Sequence, residues 1–160
     1  MAFPLPQLSV DTALGMPLSH RFGVFFFAAG VIPNPLDIRF QRVSGLTIRV
    51  ETEPLQTGGR NTARKLVPRR LAYENLVMER GFVIGSPLKL QLDAMINEFK
   101  FLRADVLITL FSEEAIPIAA WLAMEAFPVR WSTADLNAQE DRVLIDTLEL
   151  AFTRLLTVQL

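Results

Sequence analysis

Between Phe40 and Glu53 the chain reads Phe-Gln-Arg-Val-Ser-Gly-Leu-Thr-Ile-Arg-Val-Glu-Thr-Glu. From Leu46 onward, Leu46, Ile48 and Val50 alternate with Thr47, Arg49 and Glu51, which is the two-residue period of a strand with one face set for burial and one for water. Ser44-Gly45 interrupts the run and predicts a bulge or sharp bend with positive φ at Gly45. The expected element is a long bent strand, closed by Pro54, that turns a sheet corner.

The rest of the chain falls around that strand. Residues 1–20 mix Pro, Leu, Ser and Thr without a period and read as an extended arm, too apolar to be mere tail. Arg21 to Ala29, with Val24, Phe25, Phe26 and Phe27 in succession, predicts a strand covered on both faces, ended by a turn at Pro33-Asn34-Pro35. Gly58-Gly59 opens a basic segment, Arg60, Arg64, Lys65, Arg69 and Arg70, with no acidic residue between Pro54 and Tyr73. This is expected to be a long basic loop or hairpin, and loops of that length inside compact domains are uncommon unless functional or disordered. Leu71 to Arg80 resumes as a strand.

Ser86-Pro87 is a helix start, a hydroxyl at the cap and proline in the first turn. Leu88, Leu92, Met95, Ile96 and Phe99 follow at helical spacing and predict an amphipathic helix over about 87–100. Ala104 to Phe111 and Ile118 to Phe127 read as antiparallel partners around a Glu113-Glu114 turn, followed by a crossing segment, Pro128 to Ala138. Asp141 to Leu156 alternates, and β-branched Val143, Ile145 and Thr147 favour a strand over the helix that Leu, Glu and Ala would support. The fold class expected is α+β, mostly antiparallel β: a sandwich or barrel-like domain over 21–156 with one flanking helix, and a tail at 157–160.

Composition narrows the function classes. A chain of 160 residues is normally one domain with one core. Its 51% hydrophobic content, with a mean hydropathy of +0.30, leaves apolar surface for a partner. Zero Cys and one His give no thiolate chemistry and no histidine-rich metal site within one subunit, so no metal or cofactor is expected. A net charge of −1 provides no global attraction to nucleic acid or anionic lipid. The longest apolar run, Phe22 to Ile32, is about half of a bilayer span, so no membrane anchoring is expected and assembly in the cytoplasm is.

No catalytic constellation stands out. His20 beside Ser19 cannot form a nucleophile and base pair by sequence adjacency, since neighbours on a strand point apart. Glu51/Glu53, Glu113/Glu114 and Asp135/Glu140/Asp141 supply paired carboxylates, but such residues at turns and on wet faces are most often solvated. Gly58-Gly59 lacks the spacing and the following helix of a phosphate loop. The basic segment is best read as docking on an acidic protein surface, ahead of a solvated loop or a nucleic-acid grip. The alternative class is a small β-barrel binding module or hydrolase, which would carry an interior cavity with convergent polar groups.

The order of several motifs resembles the tail tube protein family of contractile phages and phage-tail-like injection systems. The residues are Phe40 to Leu46, Glu51 with Gly58-Gly59-Arg60-Asn61, Lys65 to Pro68, Tyr73 to Leu76, Met78 to Gly81, Trp121, Ala126 to Trp131, and Val143 to Ala151. The resemblance implies a structural, non-enzymatic subunit that forms homo-hexameric rings, stacked into a hollow tube inside a sheath, with baseplate or hub proteins and cargo or DNA in the lumen. It implies inter-ring or inter-subunit contacts by Gly58, Gly59, Arg60, Arg64, Lys65, Arg69 and Arg70, meeting Glu51 and Glu53 or Glu113 and Glu114 of a neighbour. Three departures, Leu92-Asp93-Ala94 where many members carry an Asp-Trp pair, the arginine-rich loop and the long apolar arm, set a baseplate-proximal, tube-initiating ring beside the main tube subunit as readings.

Overall fold

The computed structural model of the chain describes residues 21–27, 39–55, 58–59 and 64–159; the expectations for the arm, His20, the Pro33-Asn34-Pro35 turn and Arg60 lie outside them. Among the described residues nine strands and one helix follow in order: β1 (Phe22–Phe27), β2 (Arg42–Ser44), β3 (Ile48–Leu55), β4 (Lys65–Tyr73), β5 (Leu76–Gly81), α1 (Pro87–Glu98), β6 (Ala104–Phe111), β7 (Pro117–Thr133), β8 (Ile145–Ala151) and β9 (Arg154–Gln159). All pairings are antiparallel. The expected mostly antiparallel α+β architecture is therefore the one observed.

Strand β7 organises the domain. Its first half lies between β6 and β9, and its second half pairs β8, so β8 and β9 run one after the other along a single side of it. The sequence of sheet neighbours is β1-β6-β7-β8-β5-β2, with β9 beside β7. The change of partners happens at Glu125, a non-glycine residue in the left-handed region (φ 54°). Its N–H donates to Asp105 Oδ1, and its carboxylate accepts from Arg103 and from the Thr153 hydroxyl. These bonds hold a conformation that otherwise costs free energy. The crossing segment expected from Pro128 onward is instead more of β7, which runs unbroken through Pro128 to Thr133. Proline is tolerated there because β6 stops opposite Ala126, leaving one side of the strand without a ladder.

The two wings face one another across one core. Val24 on β1, Val106 and Ile108 on β6, Ala123 on β7 and Leu155 on β9 meet Leu76 and Met78 on β5 and Leu148 and Leu150 on β8. The alternation expected for β8 holds, since Asp146, Leu148 and Leu150 all point inward. The chain breaks twice where a continuous strand was expected, at Glu74-Asn75 between β4 and β5 and at Phe152-Thr153 between β8 and β9. Residues 157–159, expected in a tail, belong to β9 and pair with β7.

Helix α1 begins where the cap signal predicts, with Ser86 Oγ accepting from the Lys89 N–H and proline in the first turn. It ends at Phe99 in the left-handed conformation, before Lys100. Of the five residues expected to bury, Leu92 is enclosed and Leu88 packs on the core, whereas Ile96 and Phe99 are exposed. The cap is tied to the sheet from inside. Arg80, buried, donates to Ser86 Oγ at 2.6 Å, and its guanidinium lies 5.7 Å from the ring centres of both Phe40 and Trp131. Next to it in the ladder, buried Asp146 accepts from the Thr133 hydroxyl at 2.8 Å. Such a buried polar row costs desolvation unless its groups are bonded, and here it binds three strands to the helix start.

Candidate functional site

The long bent strand expected over 40–53 is two strands in different places. Arg42–Ser44 joins β5 in the domain sheet, and Ile48–Leu55 leaves it and, among the described residues, pairs only with Lys65–Tyr73. The bend sits at Gly45, with φ at +91°, in agreement with the positive φ expected. The chain returns at Glu74-Asn75, so β3 and β4 form a two-stranded hairpin that departs and re-enters at one place. Its base is anchored by the Tyr73 ring against Phe152, 5.6 Å between centres, and by an Arg49 to Glu74 ion pair at 2.9 Å. Towards its turn almost every residue is exposed.

The register sorts the hairpin into two faces. Residues directly opposite in an antiparallel pair share a face. One face carries Ile48 with Tyr73, Val50 with Leu71, Thr52 with Pro68 and Pro54 with Leu66. The other carries Arg49 with Ala72, Glu51 with Arg70, Glu53 with Val67 and Leu55 with Lys65, a shift in register between Glu51 and Thr52 leaving Arg69 as the extra residue. The apolar face expected from the alternation is therefore present, but the chain does not bury it. Ile48, Val50, Leu66 and Leu71 remain 47%, 50%, 54% and 55% exposed. An isolated two-stranded ribbon is marginally stable in water, and a ribbon with one largely apolar face is built to be covered.

Of the expected contact residues, Arg60 lies outside the described residues, Glu113 and Glu114 stand on the β6–β7 turn, and the others are placed on or near this ribbon. Gly58 and Gly59 form its turn, Gly59 at φ +99° with no heavy atom within 4 Å of where a Cβ would stand. Lys65 and Arg70 lie on β4 with Arg69, not in a loop, and Arg64 precedes the strand. The structure joins Arg70 to Glu51 within the hairpin, Nε and Nη2 donating to the two carboxylate oxygens. That hydrogen bond holds the Glu51 carboxyl below its ordinary range and raises Arg70. Glu51's contribution to hairpin pairing is thus complete above the ordinary carboxylate range and is lost as pH falls through the lowered value. An NMR titration of Glu51 is expected to give a midpoint below that of a free glutamate, moving up towards it in Arg70→Ala; an unchanged midpoint would remove the pairing.

After these pairings, Arg64, Lys65 and Arg69 have no ion pair among the described residues, and neither do Glu53, Glu113 and Glu114. Glu113 and Glu114 occupy the tight β6–β7 turn, where the Ser112 hydroxyl accepts from the N–H groups of Glu114 and Ile116. The hairpin cations and this acidic turn are not brought together within one chain.

Two further features were not anticipated from sequence. The sheet formed by β2, β5, β8 and the end of β7 has no strand, among the described residues, on the outer side of β2 or on the side of Phe127–Thr133 away from β8. And Arg80 is a core residue; the alternation of Leu76, Met78 and Arg80 on one face carried that signal. A cavity of about 70 Å³ lies under α1, lined by Phe26, Leu92, Met95, Val106 and Leu148 among others. Its walls are apolar apart from Gln91, so it has no convergent polar groups of the kind a ligand site needs. Among the described residues no cluster of three or more His, Asp or Glu side chains is placed to hold a metal.

Comparison with known proteins agrees with this arrangement. No curated protein sequence matches the chain. A chain in the cryo-EM structure of the anti-feeding prophage baseplate, six-fold symmetrised, superposes with a TM-score of 0.83 at 38% identity, covering 90% of this chain and 96% of that one. A chain of the sheath-tube complex of the extracellular contractile injection system PVC, in its extended state, gives a TM-score of 0.79 at 18% identity, covering 98% and 100%. Hcp1 from Flavobacterium johnsoniae shares the fold more loosely, with a TM-score of 0.53 at 16% identity and coverages of 84% and 94%. The family model described as T4-like virus tail tube protein gp19 matches residues 19–156. With nearly the whole domain inside that match, the chain belongs to the tail tube protein family of T4-like viruses.

Proposed function

We propose that the protein is a structural subunit of the inner tube of a contractile injection system, forming hexameric rings that stack into a hollow conduit within a sheath. The observation that supports this best is that, among the described residues, a four-stranded sheet has two edges with no strand beside them and a ribbon leaves its largely apolar face exposed. Open edges are templates for pairing, and closure into a ring of subunits removes them. A head-to-tail contact repeated about an axis closes a ring, and the same kind of contact along the axis stacks rings. Modest energies per subunit then add to a stiff assembly.

Similarity to a chain of a baseplate complex at 38% identity favours the tube-initiating ring over the main subunit. That position requires partners of two kinds, baseplate on one side and tube on the other, and it accords with the arginine-rich hairpin. Assembly in the cytoplasm and passage of cargo through the lumen follow from the same reading, and nothing in it calls for catalysis.

The test is a charge reversal. Arg64→Glu with Lys65→Glu is expected to leave rings intact in negative-stain images and to abolish their stacking, on each other or on a baseplate partner. Stacks of unchanged length would show that these cations do not bridge rings.

A further inference from the structure

The wing formed by β2, β5, β8 and the end of β7 has one face in the core and one outside it. Met78, Leu148 and Trp131 share the core face, and the other wing and α1 both pack on that side. In a ring closed through the two edges of this wing, the thicker side of each copy takes the longer circumference. The thin side, the outward face of the wing, is left for the channel. Its chemistry suits water: the outward rows are Arg42, Glu79, Thr147, Ser132 and Ser44, Val77, Glu149, Arg130. The matching outward row of the other wing, Phe25, Leu107, Leu122 and Leu156, has no polar side chain.

The charges on the polar face are matched within it. Arg42 and Glu79 are opposite in register and 4.0 Å apart. Glu149 and Arg130 are likewise direct cross-strand neighbours, and Glu149 Oε1 accepts from Asn75 Nδ2 at 2.7 Å. At one end of the face Arg103 pairs with Glu125 at 3.0 Å, and its guanidinium lies 5.8 Å from the ring centre of Phe127. Two arginines thus stand beside two glutamates in the central rows, with no excess of either sign. Six four-stranded walls at about 4.8 Å per strand enclose a channel at least ~35 Å across between backbones. Width alone does not select a cargo there, since a helix with its side chains is about 10–12 Å thick. Charge does, because a channel lined by one sign focuses its field on what passes, whereas adjacent opposite charges cancel within about a Debye length of 8 Å.

We infer that this face is the lumen wall and that its internal pairing makes it electrically neutral, a conduit surface for polypeptide cargo of either net charge and not for nucleic acid. This rests on the ring reading above and adds to it the class of cargo. Nucleic acid is held through phosphates by uncompensated Lys and Arg and through bases by exposed aromatic rings. The two rows offer no uncompensated run of cations and no aromatic ring, and Phe127 at their end is covered by Arg103. What remains is short hydroxyls, Val77 and paired ions, which grip neither sign of peptide.

The chain has no cysteine, so one labelled position can be placed on this face. Thr147→Cys, on β8, serves as the first site and Val77→Cys, on β5, as the second, each in the full chain assembled into rings. A maleimide gold cluster at either site is expected in the central hole in negative stain. A dye at the same cysteine is expected to show a ratio of iodide to caesium quenching within about twofold of the free dye at low salt. Adding Glu79→Gln and Glu149→Gln strips the partners from Arg42 and Arg130 and should raise that ratio several-fold. A quencher-tagged oligonucleotide should leave the dye of the parental wall unchanged and quench it in the double glutamine variant, less so as salt is added. Quencher-tagged Lys-rich and Glu-rich peptides should act on the parental wall to the same extent. Gold at the rim of intact rings would overturn the assignment of the face and leave the ring reading standing. So would rings from the parent but from neither cysteine variant, which would mean that the face is packed against a neighbour. Gold at the centre with a displaced ion ratio, unequal peptides or oligonucleotide quenching in the parental wall would overturn its neutrality and the cargo class. A parent that forms no rings would overturn both readings.

Discussion

Replacement of Val50 and Leu71 by aspartate is expected to produce a folded monomer that no longer assembles. The two residues are cross-strand partners in the middle of the apolar face, and each is at least half exposed before any partner arrives. Exchanging them for carboxylates therefore removes little packing from the isolated chain; two like charges opposite each other weaken the hairpin by about 0.2–1 kcal/mol. In an interface the balance reverses. Each lost aliphatic burial forfeits about 1.5–3 kcal/mol, and a desolvated, unpaired carboxylate adds several more. At about 1.4 kcal/mol per tenfold, the association constant should fall by at least ~1000-fold. Sedimentation velocity reads the loss, and a thermal melt within a few degrees of the parent shows that the fold survived. Assembly at parental concentrations would mean that this face stays wet in the particle.

Gly45→Ala is expected to have the largest effect on the fold of any single methyl addition. A Cβ at this position would stand 2.0 Å from the Asn75 carbonyl oxygen and 3.1 Å from Leu76 Cα, both backbone atoms that cannot swing away. The residue also holds φ at +91°, where an L side chain is strained. Strain and forced backbone displacement together should cost about 3 kcal/mol or more. Because Gly45 and Asn75 are the two sides of the hairpin's root, the damage has a location as well as a size. Urea unfolding should show the lowered midpoint, and hydrogen exchange should show protection lost first in β2 and at the start of β5. By contrast, alanine at Gly59 meets no atom within 4 Å and strains only its own φ. Equal losses at the two positions would contradict the account of the root.

How much of this was legible in the sequence depended on whether the cause was local. The start of α1 was, because Ser86 and Pro87 act within one turn. So was the separation of Asp146, Leu148 and Leu150 onto one face, which a two-residue period determines once the segment is a strand; that this face is the inward one comes from the structure. Gly45 was legible as a bend, but not as the point where the chain leaves one sheet for another, since that depends on Asn75 thirty residues on. Pro128 was misread as the end of a strand because the lack of a ladder partner beside it follows from where β6 stops. The apolar face of β3 is the clearest case. Periodicity states which side chains can be buried and is silent on which molecule buries them, so Ile48 and Val50 could be read as a face set for burial but not as one this chain leaves about half exposed. For the site, the basic residues were found in sequence, but their sorting was not: Arg70 is satisfied by Glu51 in the same ribbon, leaving Arg64, Lys65 and Arg69 for contacts elsewhere.

The central claim is that a single copy is unfinished and that other copies complete it. The direct measurement is the native mass of the purified full chain at micromolar concentration, by mass photometry or sedimentation, with images of the same sample. The account predicts a species of six 18.0 kDa chains, or stacks of it, visible as rings with a central hole. A particle of 18.0 kDa that persists as the concentration is raised, with its ribbon and sheet edges bare, would contradict it.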